Sequence, residues 1–174
     1  MSNKALVLSR LDSLGVPHDI YEHPAAHTME DCLALPFAAP DVTICKNILL
    51  CNRQKTMFYL YVTLADKPFR TADVSKLLGV SRLSFAPEEA LMDMVQTASG
   101  SLCPMALWFD AEHRITFVAD KDIKATARIA FHPCDNTATV VYNQQDFWEK
   151  VAPTFGTAPI WLDVPWPEMK GEAK

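Results

Sequence analysis

Two apolar runs joined by a polar turn constrain the fold more than any other part of this chain. Residues 43–51 and 56–64 are rich in aliphatic and aromatic side chains, and residues 52–55 between them are polar. Runs of this length on either side of a turn are typical of paired β-strands. The segment therefore predicts a β-hairpin, but Lys46 and Asn47 place an ammonium and an amide inside its first apolar run.

The position of Lys46 on this strand allows two interpretations. Alternation along a strand places Lys46 on the same face as Ile44 and Ile48. Lys46 is either an edge-strand lysine that discourages aggregation, or it lines a cleft. In a cleft, desolvation lowers the pKa of the ammonium, or the ammonium donates to an anionic or carbonyl oxygen. The local pattern does not decide between the two.

The rest of the chain mixes helix and strand signals without an internal repeat. Helices are predicted over 3–14, 29–35, 71–79, 87–95 and 144–153. Thr28 and Asp31 resemble a capping box at the start of the second. The third is expected to be capped by Thr71 and ended by Gly79, and the fourth to have Pro87 as its first residue. Further strands are predicted over 18–23, 82–86, 100–110, 115–120, 137–143 and 158–164, with a loop between Pro36 and Pro40 and a loop or turn that leads into a strand within 121–133. This pattern predicts an α+β fold: one compact domain over 1–164, with a mixed, mostly antiparallel sheet and flanking helices, and a frayed tail over 165–174.

Length and composition restrict the class of protein. A chain of 174 residues is long enough to bury a core. It has no run of about 20 apolar residues that could span a membrane, and its N-terminus lacks the apolar core of a signal peptide. We therefore expect a cytoplasmic protein without a membrane partner.

The cysteines predict neither a disulfide framework nor a zinc site. They are scattered and odd in number, and no pair has the spacing of zinc ligands. The positions are Cys32, Cys45, Cys51, Cys103 and Cys134. His23 and His27 flank Pro24, but no third metal ligand is evident, so both are interpreted as loop residues. No metal and no cofactor is predicted.

The formal net charge of −5 excludes a strong overall positive field. Proteins that grip long nucleic acids by their phosphates usually carry a basic surface. A nucleic-acid substrate is compatible with this charge only if a short end is contacted.

Two further segments contain candidate site residues. Gly100 and Ser101 precede an apolar run, and backbone N–H groups left unpaired there can hold a carbonyl or stabilise an oxyanion; alternatively, Gly100 is the C′ residue of the preceding helix. His132 precedes Pro133, which favours an extended conformation. It could bind substrate or move a proton, or it could satisfy loop carbonyls.

These segments occur in a familiar order. "KNILLCNRQKTMFYLYVTLADK", "LSFAPEEALMDMVQTASGSLCPMAL" and "DKDIKATARIAFHPCDNTATV" together resemble the aminoacyl-tRNA deacylase family related to the editing domain of bacterial prolyl-tRNA synthetase. The similarity runs from about residue 20 to 163. The N-terminal part is most similar to freestanding members that remove alanine from mischarged tRNA for proline.

The resemblance implies metal-independent hydrolysis of the ester at the tRNA 3′ adenosine. It implies Lys46, Gly100 and Ser101 as catalytic residues, with Gly100 to Pro104 forming the loop around the aminoacyl carbonyl. It also implies a set of substrate-binding residues: Asn47, Leu102, Cys103, Pro104, His132, Asn136 and Thr137. Cys103 and Cys45 depart from the usual family pattern.

The leading hypothesis is a trans-editing deacylase acting on Ala-tRNA(Pro) through its 3′ aminoacyl end, with prolyl-tRNA synthetase as a possible partner. One alternative is a deacylase for another small amino acid, such as Cys-tRNA(Pro). A second is a non-catalytic module of the same fold that binds a tRNA end or a synthetase. A third is a thiol-dependent enzyme that uses Cys45 or Cys103.

Overall fold

The computed structural model describes residues 1–35 and 40–167. Most of the predicted loop between Pro36 and Pro40 lies outside the described residues, as do the last seven residues of the predicted tail. Within the described ranges, no helix is long and apolar enough to cross a bilayer.

Strands from the whole length of the chain meet in one mixed sheet. They are His18–Glu22 (β1), Val42–Cys51 (β2), Phe58–Leu64 (β3), Ser84–Phe85 (β4), Ile115–Asp120 (β5), Arg128–Phe131 (β6), Ala138–Asn143 (β7) and Ile160–Leu162 (β8). Their order is β1-β7-β6-β2-β3-β5-β8, and β4 pairs with β2. Four of the pairings are antiparallel and three are parallel.

The first helix precedes all strands, and the others lie between strands in sequence. The helices are Asn3–Ser13 (α1), Met29–Leu33 (α2), Thr71–Leu78 (α3), Glu88–Val95 (α4) and Gln144–Asp146 (α5), which continues as a π-helix over Phe147–Val151 and a 3₁₀-helix over Ala152–Phe155. Shorter 3₁₀ segments are Ser99–Ser101, Pro104–Phe109 and Lys121–Ala125. The single α+β domain with a mixed sheet and flanking helices is confirmed.

The predicted hairpin is confirmed as β2 and β3, with Lys46 opposite Thr63 and Asn47 opposite Val62. The other edge of β2 is only partly covered. There β6 pairs with Val42 to Ile44, and β4 pairs with Leu50 and Cys51. Among the described strands, none pairs with this edge of β2 between Ile44 and Leu50. The edge therefore has a gap at Lys46 and Asn47.

The predicted strand over 100–110 is wrong, and so is its hairpin with 115–120. Pro104 begins a 3₁₀-helix that runs to Phe109. Proline favours the first turn of a helix because its φ is already fixed and its missing N–H has no partner to lose there. Pro104 to Leu107 are all buried. The sequence therefore has no alternation of apolar and polar residues whose period could distinguish a helix from a strand. β5 instead pairs in parallel with β3 and β8.

Smaller differences concern the ends of elements. The N-cap of α3 is Arg70 rather than Thr71, and Pro87 is the N-cap of α4 rather than its first residue. Gly79 does end α3, in the left-handed conformation with φ of 70°. In the predicted frayed tail, Trp166 is held, because its indole donates to Asp122 at 2.9 Å.

Candidate active site

A pocket of about 180 Å³ lies at the gap beside β2. Its walls come from β2, α2, the 3₁₀ turn Ser99–Ser101 and β6. Five of the predicted site residues line it: Lys46, Asn47, Gly100, Leu102 and His132. Pockets for drug-sized ligands measure roughly 300–1,000 Å³, so this one suits a small group such as a short amino-acid side chain.

α2 is placed at the pocket by its own sequence. Thr28 and Asp31 form the predicted capping box: the Thr28 hydroxyl accepts from the Asp31 N–H, and the Asp31 carboxylate accepts from the Thr28 N–H, both at 3.1 Å. Such reciprocal bonds fix the start of a helix. They stabilise a helix of only five residues, whose Cys32 faces the pocket.

Lys46 lines the pocket with a partly desolvated side chain. Its ammonium donates to the main-chain carbonyl of Lys67 and lies 5.7 Å from the centre of the Phe69 ring. Burial lowers the pKa of Lys46, although the nearby charge of Asp66 opposes the shift. Because β2 has neighbours on both sides at its ends, Lys46 is not the lysine of an outer edge strand, and the cleft interpretation fits the geometry.

Asn47 contributes a buried acceptor without a partner. Its Oδ1 accepts no hydrogen bond within the described part of the chain. An unsatisfied buried oxygen costs about 1–3 kcal/mol. Because Asn47 lines the pocket, this oxygen is a candidate acceptor for a donor on a bound molecule.

The backbone amides of Gly100 and Ser101, in the turn Ser99–Ser101, differ in their hydrogen bonding. The Ser101 N–H donates to the Ala98 carbonyl at 3.0 Å, so the prediction of an unpaired amide is wrong for Ser101. The Gly100 N–H makes no hydrogen bond to any described residue. Gly100 is exposed at the pocket and is not a helix C′ residue, because α4 already ends at Gln96 with φ of 55°.

His132 lines the pocket, and each of its ring nitrogens contacts a neighbouring residue. Its Nδ1 donates to the Ala138 carbonyl at 2.8 Å, and its Nε2 lies 3.5 Å from the Cys32 sulfur. Burial lowers the pKa of His132, although the Ala138 carbonyl opposes the shift. The ring is therefore neutral near pH 7, with a lone pair on Nε2.

Four predicted substrate-binding residues do not line the pocket. Cys103 and Pro104 are buried behind it, where the Cys103 sulfur lies 3.4 Å from that of Cys134. Asn136 accepts from the Ala26 N–H at 3.0 Å, and Thr137 hydrogen-bonds to Asp135. These contacts shape the loops around the pocket, and the substrate contacts of the four residues stay predictions.

The pocket also contains polar residues that the sequence did not single out. Thr139 lies on its wall, with its hydroxyl 2.9 Å from His23 Nε2 and 3.3 Å from His132 Nδ1. Ser99 lines it as well, with its N–H donating to Glu88 at 2.9 Å. Alternation from Thr137 could have indicated Thr139. The role of Glu88 depends on a contact eleven residues away, which no local pattern shows.

The geometry does not favour a thiol nucleophile at the two predicted positions. Cys45 lines the pocket, but burial raises the pKa of its thiol far above neutrality. Cys103 has no exposed surface. A nucleophilic cysteine needs an accessible sulfur with substantial thiolate character. In the described ranges, no group of three metal-binding side chains is present either.

Comparisons with known proteins match this chain to tRNA-editing proteins. The aminoacyl-tRNA editing domain matches residues 23–149. A prolyl-tRNA editing protein ProX from Acetoanaerobium sticklandii is 29% identical over 156 residues, covering 90% of this chain and 94% of the relative. A bovine prolyl-tRNA synthetase associated domain-containing protein 1 is 29% identical over 169 residues, covering 92% and 94%.

Solved structures share the fold. A candidate trans-editing enzyme for prolyl-tRNA synthetase superimposes with a TM-score of 0.70 at 16% identity, covering 94% of this chain and 98% of that one. The hypothetical protein APE2540 gives the same TM-score and identity over 91% and 97%. The chain belongs to the aminoacyl-tRNA editing domain family.

Proposed function

We propose that this chain is a trans-editing deacylase that hydrolyses the ester of mischarged tRNA, with Ala-tRNA(Pro) as its preferred substrate. One observation carries the proposal: Lys46, Asn47 and Gly100 line one small pocket, and each offers a polar group that a bound ester can use. The membership in an editing-domain family supports it, as does similarity to a protein named for prolyl-tRNA editing.

An aminoacyl ester is already activated, so its hydrolysis requires a positioned water and a stabilised oxyanion more than a strong nucleophile. The unpaired Gly100 N–H is the candidate donor to the oxyanion. Removing one oxyanion-hole donor from a serine protease costs about 2.7–4 kcal/mol of barrier. The ribose hydroxyl next to the ester can assist proton transfer.

Lys46 acts as an electrostatic group in this scheme. Its flexible side chain can exchange the Lys67 carbonyl for an ester or phosphate oxygen by a change of rotamer. Burial lowers its pKa, and we assign the protonated form to the reaction because an ammonium stabilises developing negative charge. A base is not required of Lys46.

Asn47 selects the amino end of the substrate. The α-ammonium of an aminoacyl ester is a strong donor, and it supplies the partner that the buried Oδ1 of Asn47 lacks. A hydrogen bond between a charged donor and a buried acceptor is stronger than a neutral one. The pocket thereby orients the ester towards Gly100.

Pocket size supplies selection against larger amino acids. One methylene changes binding by only about 1–3 kcal/mol, but a side chain too large for the pocket of about 180 Å³ is excluded more sharply by steric overlap with its walls. Alanine and cysteine are both small, so pocket size alone does not separate them. The preference for alanine over cysteine is therefore a separate part of the proposal.

The acidic charge is compatible with a tRNA substrate if only its single-stranded 3′ end is contacted. Lys67 is fully buried in ion pairs and is not available to phosphates. The cations that we propose as contacts for the phosphates of this end are Lys46, Lys55, Arg70, Lys121 and Lys124. Prolyl-tRNA synthetase is a proposed partner because it produces the mischarged substrate.

A deacylation panel tests this proposal. Purified protein is incubated with alanyl, cysteinyl, seryl and prolyl esters on tRNA(Pro), and with alanyl ester on tRNA(Ala), each with and without a chelator. We expect fastest release of alanine from tRNA(Pro) and no effect of the chelator.

Each of the other outcomes of the panel would contradict one part of the proposed function. Faster release of cysteine would replace alanine as the substrate, and loss of activity with the chelator would contradict metal independence. Saturable binding of charged tRNA without turnover would favour the non-catalytic module.

A further inference from the structure

A second hollow, of about 290 Å³, adjoins the pocket and shares three of its residues. Asn47, Ser99 and Leu102 line both. The far side of the second hollow is formed by Phe85 and Leu91, and we call it the Phe85 groove. The Phe85 groove is therefore the immediate neighbour of the pocket on the side of the three shared residues.

Phe85 is unusually exposed for its residue type. Its exposed fraction is 64%, the highest of any aromatic residue that the structure describes. Isolated exposed apolar residues are common on protein surfaces. This one differs because it lines a hollow that shares Asn47, Ser99 and Leu102 with the candidate active site.

The backbone holds Phe85 in place. Phe85 pairs with Leu50 across β4 and β2, and the next residue, Ala86, donates its N–H to the Leu49 carbonyl at 2.8 Å. The Phe69 ring lies 6.1 Å away at 82°, in an edge arrangement. The exposed ring is thus fixed to the strand that carries Lys46 and Asn47.

The chemistry of the proposed substrate supplies an occupant for the groove. If the ester lies in the pocket, the ribose that carries it lies at the mouth, and the neighbouring Phe85 groove offers a place for the base on that ribose. Exposed aromatic rings beside a nucleic-acid path stack on bases. Glu88, the acidic residue of the groove, is already engaged with the Ser99 N–H and would face a neutral base.

We propose that Phe85 is the stacking platform for the terminal nucleobase of the tRNA 3′ end. The proposal rests on the proposed function, because it requires an ester of a nucleoside in the pocket. It assigns the Phe85 groove to the base and leaves the pocket to the aminoacyl group.

Two esters and two variants test this proposal. One ester is 3′-O-alanyladenosine, and the other is the alanyl ester of 1-O-methylribose, which keeps the neighbouring hydroxyl but has no base. The variants Phe85→Leu and Phe85→Trp remove and retain an aromatic face. Because Phe85 is exposed, both should fold, and thermal unfolding checks this.

We expect Phe85→Leu to raise KM for alanyladenosine about 5- to 150-fold, the range for loss of one base–aromatic stack. The same variant should leave KM for the base-free ester unchanged, and Phe85→Trp should resemble the wild type with both. Equal KM changes for the two esters, or no change for alanyladenosine, would overturn the assignment.

Binding of the uncharged trinucleotide CCA, measured by calorimetry, separates this proposal from the proposed function. If the wild type hydrolyses neither ester, the proposed function fails, and weaker CCA binding by Phe85→Leu would still support the stacking platform. Equal binding by wild type and Phe85→Leu, or no binding by either, would overturn it.

Discussion

The side-chain ammonium of Lys46 donates to the main-chain carbonyl of Lys67, whose own ammonium is buried 2.8 Å from the Asp120 carboxylate. Asp120 also accepts from Tyr61 and Thr63. The orientation of the candidate catalytic lysine is therefore tied to a fully buried ion pair. We infer that this pair fixes the carbonyl that holds Lys46 beside the pocket before substrate enters.

Removing the Lys67 ammonium should strongly destabilise the fold. Lys67→Met leaves Asp120 buried without its cation, and breaking a buried pair in this way costs about 3–5 kcal/mol. We expect a loss of that size in the free energy of unfolding, measured with urea. Adding Asp120→Asn should recover part of it, and Lys76→Met, at an exposed position, should be neutral. A loss below about 1 kcal/mol would contradict the buried pair.

Removing the unpartnered acceptor should separate stability from activity. Asn47→Leu keeps a similar volume but deletes an oxygen whose isolation costs about 1–3 kcal/mol. We expect stability to be unchanged or increased, while kcat/KM for the aminoacyl ester falls at least tenfold, the minimum for a lost hydrogen bond to a charged group of about 1.5 kcal/mol.

Asn52→Leu is the matched control for Asn47. The Asn52 side chain accepts from the Thr56 and Met57 N–H groups in the turn after β2. Its loss should lower stability and leave activity unchanged. If Asn47→Leu instead lowered stability and spared activity, Asn47 would have a structural role only.

A methyl group at Gly100 should obstruct substrate without disturbing the fold. A Cβ built there meets no atom within 4 Å, and the φ of Gly100 is not in the left-handed region. We expect Gly100→Ala to keep its melting temperature but lose up to about 100-fold in kcat, the effect of a misplacement of about 1 Å.

Gly79→Ala shows the opposite pattern in this account. Gly79 also has open space but adopts φ of +70°, so alanine there is strained. It should lose about 1 kcal/mol of stability and no activity. Full activity in Gly100→Ala would mean that substrate does not approach this amide.

The acid side of the pH profile tests the state of His132. Because burial lowers its pKa below the ordinary value of about 6.5, the ring stays neutral as pH falls through that range. After subtraction of spontaneous hydrolysis, we expect the wild type and His132→Asn to show the same dependence of kcat on pH between about pH 7 and 6.5. A wild-type decline centred at 6.5 and absent from the variant would show that an unperturbed histidine acts as a base.

The local parts of the fold could be predicted from the sequence, whereas contacts between distant segments could not. The β2–β3 hairpin, the capping box at Thr28 and the turn at Gly79 each depend on neighbouring residues. The strand expected over 100–110 failed because a continuous apolar run carries no period, and Pro104 favoured a 3₁₀-helix.

For the candidate site, the sequence predicts several of the residues but not their tertiary contacts. Lys46, Asn47, Gly100 and His132 were identified and share one pocket. The partners of Lys46 and His132 could not be predicted, because the Lys67 carbonyl and the Cys32 thiol reach them only through the tertiary fold. The gap in the edge of β2 arises from pairing with β4 and β6, which no segment of sequence shows alone.

The most direct test of the central claim compares wild type and Lys46→Ala in deacylation of Ala-tRNA(Pro), with the exposed Lys76→Ala as control. We expect Lys46→Ala to lose about 100- to 1,000-fold in kcat, as when an electrostatic stabiliser of the transition state is removed, while keeping its fold. Equal rates for the wild type and Lys46→Ala would contradict the account.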